Sequence, residues 1–449
     1  MKPVKKFGKI PIHAKQVWKI ALPAVGEAYL QNILGLVDAF FIAKIGLTAI
    51  DAVGVTNVYS MTYIGVFTAV STTISVFLSR ATGALDEKQG RASIWHGFLI
   101  VLAVGLFASL ISIVFAVPLL HIMGANSELQ HTAKPYFTTL LGISPLIALF
   151  TAQSAAFRAI GDTKTPLQIG LEMNVLHVIL DYVLIFGVGS FHGFGLKGAA
   201  FAMVLARLYA LIRLYKKSRR VQALSLHLSD MRFSPSLSWK MTQFAIPSAL
   251  ERLSMRFGQV VYFGLIVRMG IAAYATHNIA GYLTTFASTV GSGFAVAATT
   301  TIGQAIGRRN PQEVTLYRFW SYIESAVTMT AITVLLWMFS PWLGLLFTRN
   351  EEVIHLLFII LAIDIFSQPF LAAVLIDTSA IQAGGNSRFP MVTTMTGIWM
   401  IRTMGVYVFA WRLHFGLPAV WVSIASDNAL RAGLFLWYRR HRPWIQTFS

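Results

Sequence analysis

Long apolar stretches broken by short, often basic, polar segments run the whole length of the chain. Twelve can be marked: 17–44, 52–79, 93–118, 131–155, 166–188, 196–216, 240–267, 274–302, 316–340, 353–379, 389–411 and 417–438. Each is near or above the ~20 residues a helix needs to cross ~30 Å of hydrocarbon. The pattern predicts an all-α integral membrane protein of twelve transmembrane helices. The first stretch follows a basic segment, but it is long and no small-residue cleavage site precedes a soluble domain. It therefore reads as a span and not as a cleaved leader.

Composition sharpens this picture. Of 449 residues, 56% are hydrophobic and 12% charged, against roughly 25% charged in ordinary soluble domains. So little polar surface excludes a disordered chain and disfavours a soluble enzyme. There is no cysteine, which removes disulfides, thiolate metal sites and a thiol nucleophile. The net charge of +18 would suggest nucleic acid in a soluble protein, but here the basic residues sort into alternate loops. The N-terminus, the loops after even-numbered spans and the C-terminus hold 24 Lys and Arg, Lys2, Lys5, Lys6 and Lys9 among them; the other side holds 6. By the positive-inside rule both termini are expected in the cytoplasm of a multi-pass cell-membrane protein, with no nucleic-acid partner.

The chain also repeats itself at an offset of 224 residues. Pro23-Ala24-Val25-Gly26-Glu27 falls on Pro247-Ser248-Ala249-Leu250-Glu251, and Gly46 and Gly83 fall on Gly270 and Gly307. Gly161-Asp162-Thr163-Lys164-Thr165-Pro166 falls on Gly385-Asn386-Ser387-Arg388-Phe389-Pro390. After a three-residue deletion, Phe194-Gly195-Leu196 matches Phe415-Gly416-Leu417. Six spans per half is an even number, so the halves enter from the same side and are parallel repeats. The expected organisation is an N-terminal lobe 1–216, a basic linker 217–239 and a C-terminal lobe 240–449, two six-helix bundles around a central cavity. That layout suits alternating access, although fold alone names no substrate.

Ionisable residues inside a span are expensive, by roughly 2.5–3.5 kcal/mol for an aspartate on insertion scales, and point to function. Asp38 lies in the outer half of span 1, with Gln31 two turns earlier on the same face. In span 5, Asn174, His177 and Asp181 share one face. Close carboxylates interact strongly and titrate as a unit, so the set makes a candidate proton or cation site. Its repeat mates are Tyr262, Ile398, Ile401 and Gly405, so maintenance of a shared fold does not explain the cluster. The alternative is a satisfied polar network that merely fixes helix packing, strongest for His177. In the other half, Glu251, Arg252, Arg256, Asp364, Asp377 and Arg402 are expected to pair as clamps, with a second coupling or substrate site as the alternative. Asp427 and Arg431 read as a simple i, i+4 pair, Glu27 and Glu251 as structural counterparts, and Glu172 as a snorkelling surface group.

Several motifs together resemble the multidrug and toxic compound extrusion (MATE) family. They are Val37-Asp38-Ala39-Phe40-Phe41-Ile42-Ala43-Lys44-Ile45-Gly46, Ala156-Phe157-Arg158-Ala159-Ile160-Gly161-Asp162-Thr163-Lys164-Thr165-Pro166, Leu180-Asp181-Tyr182-Val183-Leu184-Ile185-Phe186-Gly187 and Gly195-Leu196-Lys197-Gly198-Ala199-Ala200. The Asp38 and Asp181 pair is similar to the DinF-like prokaryotic branch. The resemblance implies a V-shaped antiporter that exports amphipathic, often cationic compounds against protons or sodium. The candidate coupling residues are Asp38, Asp181, Asn174 and His177, and the candidate substrate-cavity residues are Gln31, Asp38 and Asn174. Two departures matter. His177 stands where the family's sodium site usually has Asn, and Met203 where it usually has Thr. Both remove hard oxygen ligands, so the expected coupling ion is the proton, with sodium as the alternative. No cofactor, resident metal or enzymatic motif is expected, and the protein is expected to act as a monomer in the lipid bilayer. A flippase or exporter of a lipid-linked or anionic metabolite is the rival function, which Arg252, Arg256 and Arg402 would suit.

Overall fold

A computed structural model describes residues 11–227 and 230–445, so Lys2, Lys5, Lys6 and Lys9 lie outside the described residues. The first half contains α1 (Ile12–Ile45), α2 (Leu47–Gly83), α3 (Glu87–Val114), α4 (Ala116–Ile122), α5 (Ser127–Gly142), α6 (Ser144–Ala159), α7 (Lys164–Phe186) and α8 (Leu196–Ser218). The second contains α9 (Pro235–Val267), α10 (Ile271–Gly307), α11 (Pro311–Met338), α12 (Ser340–Phe347), α13 (Glu351–Ala383), α14 (Arg388–Thr396) and α15 (Gly416–His441). α14 continues as π-helical turns through Gly397–Thr403 and Val406–Arg412. Strands β1 (Gly187–Val188) and β2 (Phe191–His192) form a short hairpin after α7.

These elements build twelve spans, because three of the predicted stretches are each split by a short break. The third span breaks at Phe115, and its counterpart breaks at the repeat-equivalent Phe339. The fourth breaks before α6, whose first turn carries Pro145. Proline there loses no helical hydrogen bond, so Pro145 opens a new helix instead of bending one. Its mate Pro369 sits inside an unbroken α13. Eight helical stretches are apolar enough on their own to cross a membrane, with α5 and α6 counted as one. The others follow from the repeat.

The repeat extends to backbone detail. Gly161 and Gly385 both have φ of 93°, a conformation that favours glycine, where each chain leaves its fourth span. Immediately after, Asp162 Oδ1 accepts from the backbone N–H of Lys164 and Thr165. Asn386 Oδ1 does the same for Arg388 and Phe389. Leu85 and its mate Arg309 share the left-handed conformation, at 57° and 55°. One local rule set therefore folds both halves.

The first two helices of each half pack more against the other half than against each other. α1 lies along α10, and α2 along α9 and α10. At the end where α2 and α10 finish, a Cβ on Gly83 would strike the backbone of Gln304, and one on Gly307 the backbone of Arg80. Hydrogen bonds lock this end. Arg80 Nε and Nη2 donate to Ala383 O at 2.7 and 2.5 Å. Thr300 and Gln304 donate to the carbonyls of Arg158 and Ala159 at 2.9 and 3.1 Å. Further along, Tyr29 donates to Phe286 O at 2.7 Å, and Asn32 reaches Thr289 at 3.5 Å. Among the described residues no hydrogen bond joins the halves beyond that level. There, residues 31–33 and 35–36 of α1 are exposed around more than one face. The halves thus close on the basic side and part toward the other.

Candidate functional site

The site belongs to the first half, where α1, α5, α7 and α8 converge. Helical spacing in α7 puts Asn174, His177 and Asp181 on its inner face, and all three are buried. α1 brings Asp38 against them from 139 residues earlier in the chain. His177 bridges the two acids: its Nδ1 is 3.8 Å from Asp38 Oδ1, and its Nε2 is 3.5 Å from Asp181 Oδ2. One ligand atom from each of the three lies within 4.8 Å of the others. Asn174 Nδ2 donates to Leu30 O at 3.0 Å, tying α7 to α1 and leaving Asn174 Oδ1 without a partner. Asp38 Oδ1, Asp181 Oδ1 and His177 Nδ1 also lack hydrogen bonds. A structural network would satisfy these atoms, since an unmet buried polar atom costs about 1–3 kcal/mol. Unmet capacity around two carboxylates is what a site for a transient proton or cation requires.

The sequence-predicted residues divide unevenly. Asp38, His177, Asp181 and Asn174 come together. Gln31 does not: it is exposed and makes no hydrogen bond, two helical turns from Asp38. Met203 packs in an apolar cluster with Ile42, Ala49 and Ala199, so it offers no oxygen to the site.

Two residues were missed by sequence reasoning. Tyr136 of α5 is buried beside both aspartates and interacts electrostatically with each. Arg207 of α8 places its guanidinium 5.2 Å from the Phe150 ring centre, and its charge acts on Asp38 and His177. Its Nε has no hydrogen-bond partner. The available signal was an arginine near the middle of the sixth span, which sorting basic residues by loop passes over.

In the second half the expected clamps are only partly present. Arg402 does pair, with Asp427 at 2.6 Å, and Arg431 joins the same acid at 2.9 Å. The expected simple Asp427–Arg431 pair is therefore a buried three-residue network linking two spans. Asp377 pairs with Arg318 at 2.6 Å and Arg439 at 3.3 Å, near the basic end and not the midplane. Asp364 has no cation partner; Gln368 donates to it at 2.6 Å. Arg252 and Arg256 are exposed and form no ion pair among the described residues, although the Arg252 charge acts on Glu251; Arg256 donates to Gln259 at 3.2 Å. Adjacent residues on a helix point about 100° apart, which separates Arg252 from its acidic neighbour. Glu172 is not a lone snorkelling group, because Arg213 and Tyr209 both donate to it at 2.9 Å.

Glu27 and Glu251 are counterparts in position but differ in partner. Arg158 Nη1 donates to both oxygens of Glu27 at 3.0 Å. Its repeat mate is Gln382, which approaches Glu251 at 3.4 Å, while Thr394 donates to that acid at 3.0 Å.

Two repeated six-helix halves, closed on one side over an intramembrane acid–histidine cluster, define a multi-pass membrane transporter and not an enzyme. A profile of the MatE family matches residues 23–183 and again residues 247–408, the two matches starting one repeat apart. The chain belongs to this family of multidrug and toxic compound extrusion transporters. It is 28% identical to the uncharacterized transporter YisQ of Bacillus subtilis, over 96% of this chain and 95% of that one. It is 26% identical to a probable multidrug resistance protein NorM of Thermotoga maritima, covering 97% and 94%. The FAD transporter of Shewanella oneidensis matches at 26% over 79% of each chain. The fold superposes on a crystal structure of MATE in complex with MaL6 at TM-score 0.88, with 21% identity and 95% and 96% coverage. An outward-facing conformation of a multidrug resistance MATE family transporter gives 0.86 at 21% identity, covering 95% of each chain.

Proposed function

We propose that the protein is a cell-membrane antiporter with both termini in the cytoplasm, exporting amphipathic, often cationic compounds in exchange for protons. The observation that carries this reading is the Asp38–His177–Asp181 cluster with its unmet polar atoms. In the cycle, a proton from outside enters the cluster through Asp38, whose side chain remains 27% exposed. Loss of that charge weakens the hold on a bound cation, which leaves. The halves then rock about their closed side, the proton departs to the cytoplasm and new substrate binds. Proton and cation compete through their different affinities for the two states, as linkage requires. Tyr136 and Asn174 position the acids, and Gln31 contributes to the wall of the cavity.

Sodium fits this cluster poorly. The imidazole of His177 stands between the carboxylates, Met203 supplies no oxygen, and the Arg207 charge repels a second cation. Hard cations prefer a shell of several oxygens.

One feature favours a second reading, export of an anionic or lipid-linked metabolite. Arg252 and Arg256 are exposed, unpaired cations within a membrane-spanning helix. The protein is expected to work as a monomer, each chain having its own pair of lobes.

The test uses inverted vesicles containing wild type or Asp38→Asn. Uptake of a fluorescent lipophilic cation is followed under a pH gradient and then under a sodium gradient alone. The expected result is uptake driven by the pH gradient and lost in Asp38→Asn. Uptake driven only by sodium would overturn proton coupling. No cation uptake under either gradient would favour the anionic reading.

A further inference from the structure

The repeat generates a second duplicated feature, far from the acid cluster and at the basic end of the molecule. In the first half, α3, α6 and α8 and the chain after α8 enclose a cavity of about 390 Å³. In the second half, α11 and α15 and the chain after α15 enclose one of about 480 Å³. Both lie within the roughly 300–1,000 Å³ typical of small-molecule sites. Their walls are repeat mates. Trp95 and Phe98 of the first correspond to Phe319 and Tyr322 of the second. Past the three-residue deletion, Ser218 and Arg219 correspond to Arg439 and Arg440. Each cavity is thus an aromatic-lined slot between the third and sixth spans of its half, with an exposed arginine at its edge.

The two differ at one buried position. Asp377 lies behind the second cavity and holds Arg318 and Arg439, both of which line it. Its mate is Gln153, which lines the first cavity, is 5% exposed, and whose Oε1 has no hydrogen-bond partner. The mates of the two arginines are Ile94 and Ser218, so neither cation has a counterpart beside Gln153. Trp95 Nε1 in the same cavity is also unpartnered. The first cavity therefore presents apolar walls and a basic rim, with the unpartnered Gln153 Oε1 and Trp95 Nε1 enclosed behind them. The second presents three arginines against one aspartate.

We infer that this pair of cavities binds anionic phospholipid from the leaflet on the basic side, one molecule in each half. The acyl chain lies against the aromatic and aliphatic walls, and the phosphate meets Arg219 in the first site and Arg440 with Arg439 in the second. Basic pockets between membrane helices are suited to such headgroups. The first site is walled in part by Leu224, Leu226 and Met231 of the segment joining the halves, so bound lipid fixes the start of that connection.

The test is native mass spectrometry of the purified protein with phosphatidylglycerol, phosphatidylcholine or glycerol phosphate added. Wild type is expected to retain two phosphatidylglycerol molecules in preference to phosphatidylcholine, and no glycerol phosphate. Ile212→Trp and Leu436→Trp fill the first and second cavities from partly exposed positions, 44% and 41% accessible, so folding is not at risk. Each is expected to remove one bound lipid, Arg219→Gln to abolish the anionic preference at the first site, and Arg440→Gln to weaken it at the second, where Arg439 remains. Equal retention of the two phospholipids, retention unchanged by both tryptophans, or binding of glycerol phosphate alone would overturn the inference.

Discussion

The two halves of this transporter share a backbone and divide the chemistry. Where the first half holds Asp38, Asn174, His177 and Asp181, the second has Tyr262, Ile398, Ile401 and Gly405. Tyr262 and Ile398 are buried in an apolar cluster with Ile266, Ile279 and Leu361. The same crossing of first and fifth spans is therefore stable with or without charge. The second half carries its charges elsewhere, and there they are mostly matched: one aspartate holds Arg402 and Arg431, another holds Arg318 and Arg439. Two carboxylates without a close cation partner in one half and aspartates each holding two arginines in the other separate a candidate for turnover from a device for rigidity.

The largest effect that tests this contrast is on transport. Asp38→Asn should abolish proton-driven export, while Tyr262→Phe at the mate position leaves it near wild type. Both are read in the vesicle assay, and a comparable loss in Tyr262→Phe would break the comparison. Next comes stability. Asp427→Asn strands two buried arginines and should destabilise the folded protein by about 3–5 kcal/mol. Asp181→Asn, at a cluster already short of partners, should change it by about 1 kcal/mol or less. Thermal unfolding in detergent compares the two.

A smaller difference should appear at the paired glutamates. Glu27→Gln breaks the contact to Arg158 and is expected to lower stability by about 3 kcal/mol. Glu251→Gln keeps its neighbours Thr394 and Gln382 as hydrogen-bond partners and should cost under about 1 kcal/mol. Equal losses would mean that Glu251 has a cation partner in solution.

The smallest effect lies in the segment between the halves. Asp230 pairs with Arg91 at 3.0 Å. Partial burial pushes its carboxyl up, but the His227 N–H and the Arg91 guanidinium outweigh this and hold it below the usual aspartate range. A depressed acid stabilises above its unfolded pKa, near 3.9, and that contribution is lost as pH falls through the lower folded value. Proteolytic nicking of the segment 219–234 should therefore be flat from about pH 5 to 8 and rise only below about pH 4. Asp230→Asn should remove that acid dependence.

Much of this was legible in the chain. Continuous apolar stretches can be satisfied in lipid only by helices, so eight of the twelve spans follow from composition and length, and the repeat supplies the other four. The repeat was visible because Pro23, Gly46, Gly161 and their mates serve local backbone needs that both halves share. The clustering of Asn174, His177 and Asp181 followed from helical periodicity, which acts within one element. What joins elements was less accessible. Gln31 shares a helix face with Asp38, yet no other element comes to it. Arg252 neighbours Glu251 in sequence yet forms no ion pair with it, while Arg402 finds Asp427 twenty-five residues away.

By itself, the sequence determined that this protein is a repeated, membrane-spanning helical transporter with the Asp38, Asn174, His177 and Asp181 cluster in one half only. Those properties depend on residue type and spacing, which are local and additive. Only the tertiary structure decided which ions are paired. It also brought Tyr136 and Arg207 to the acids, and it made two lined cavities of helices that are distant in the chain. Each of these depends on how helices cross. Crossing is set by the summed packing of many side chains, and no single segment carries that information.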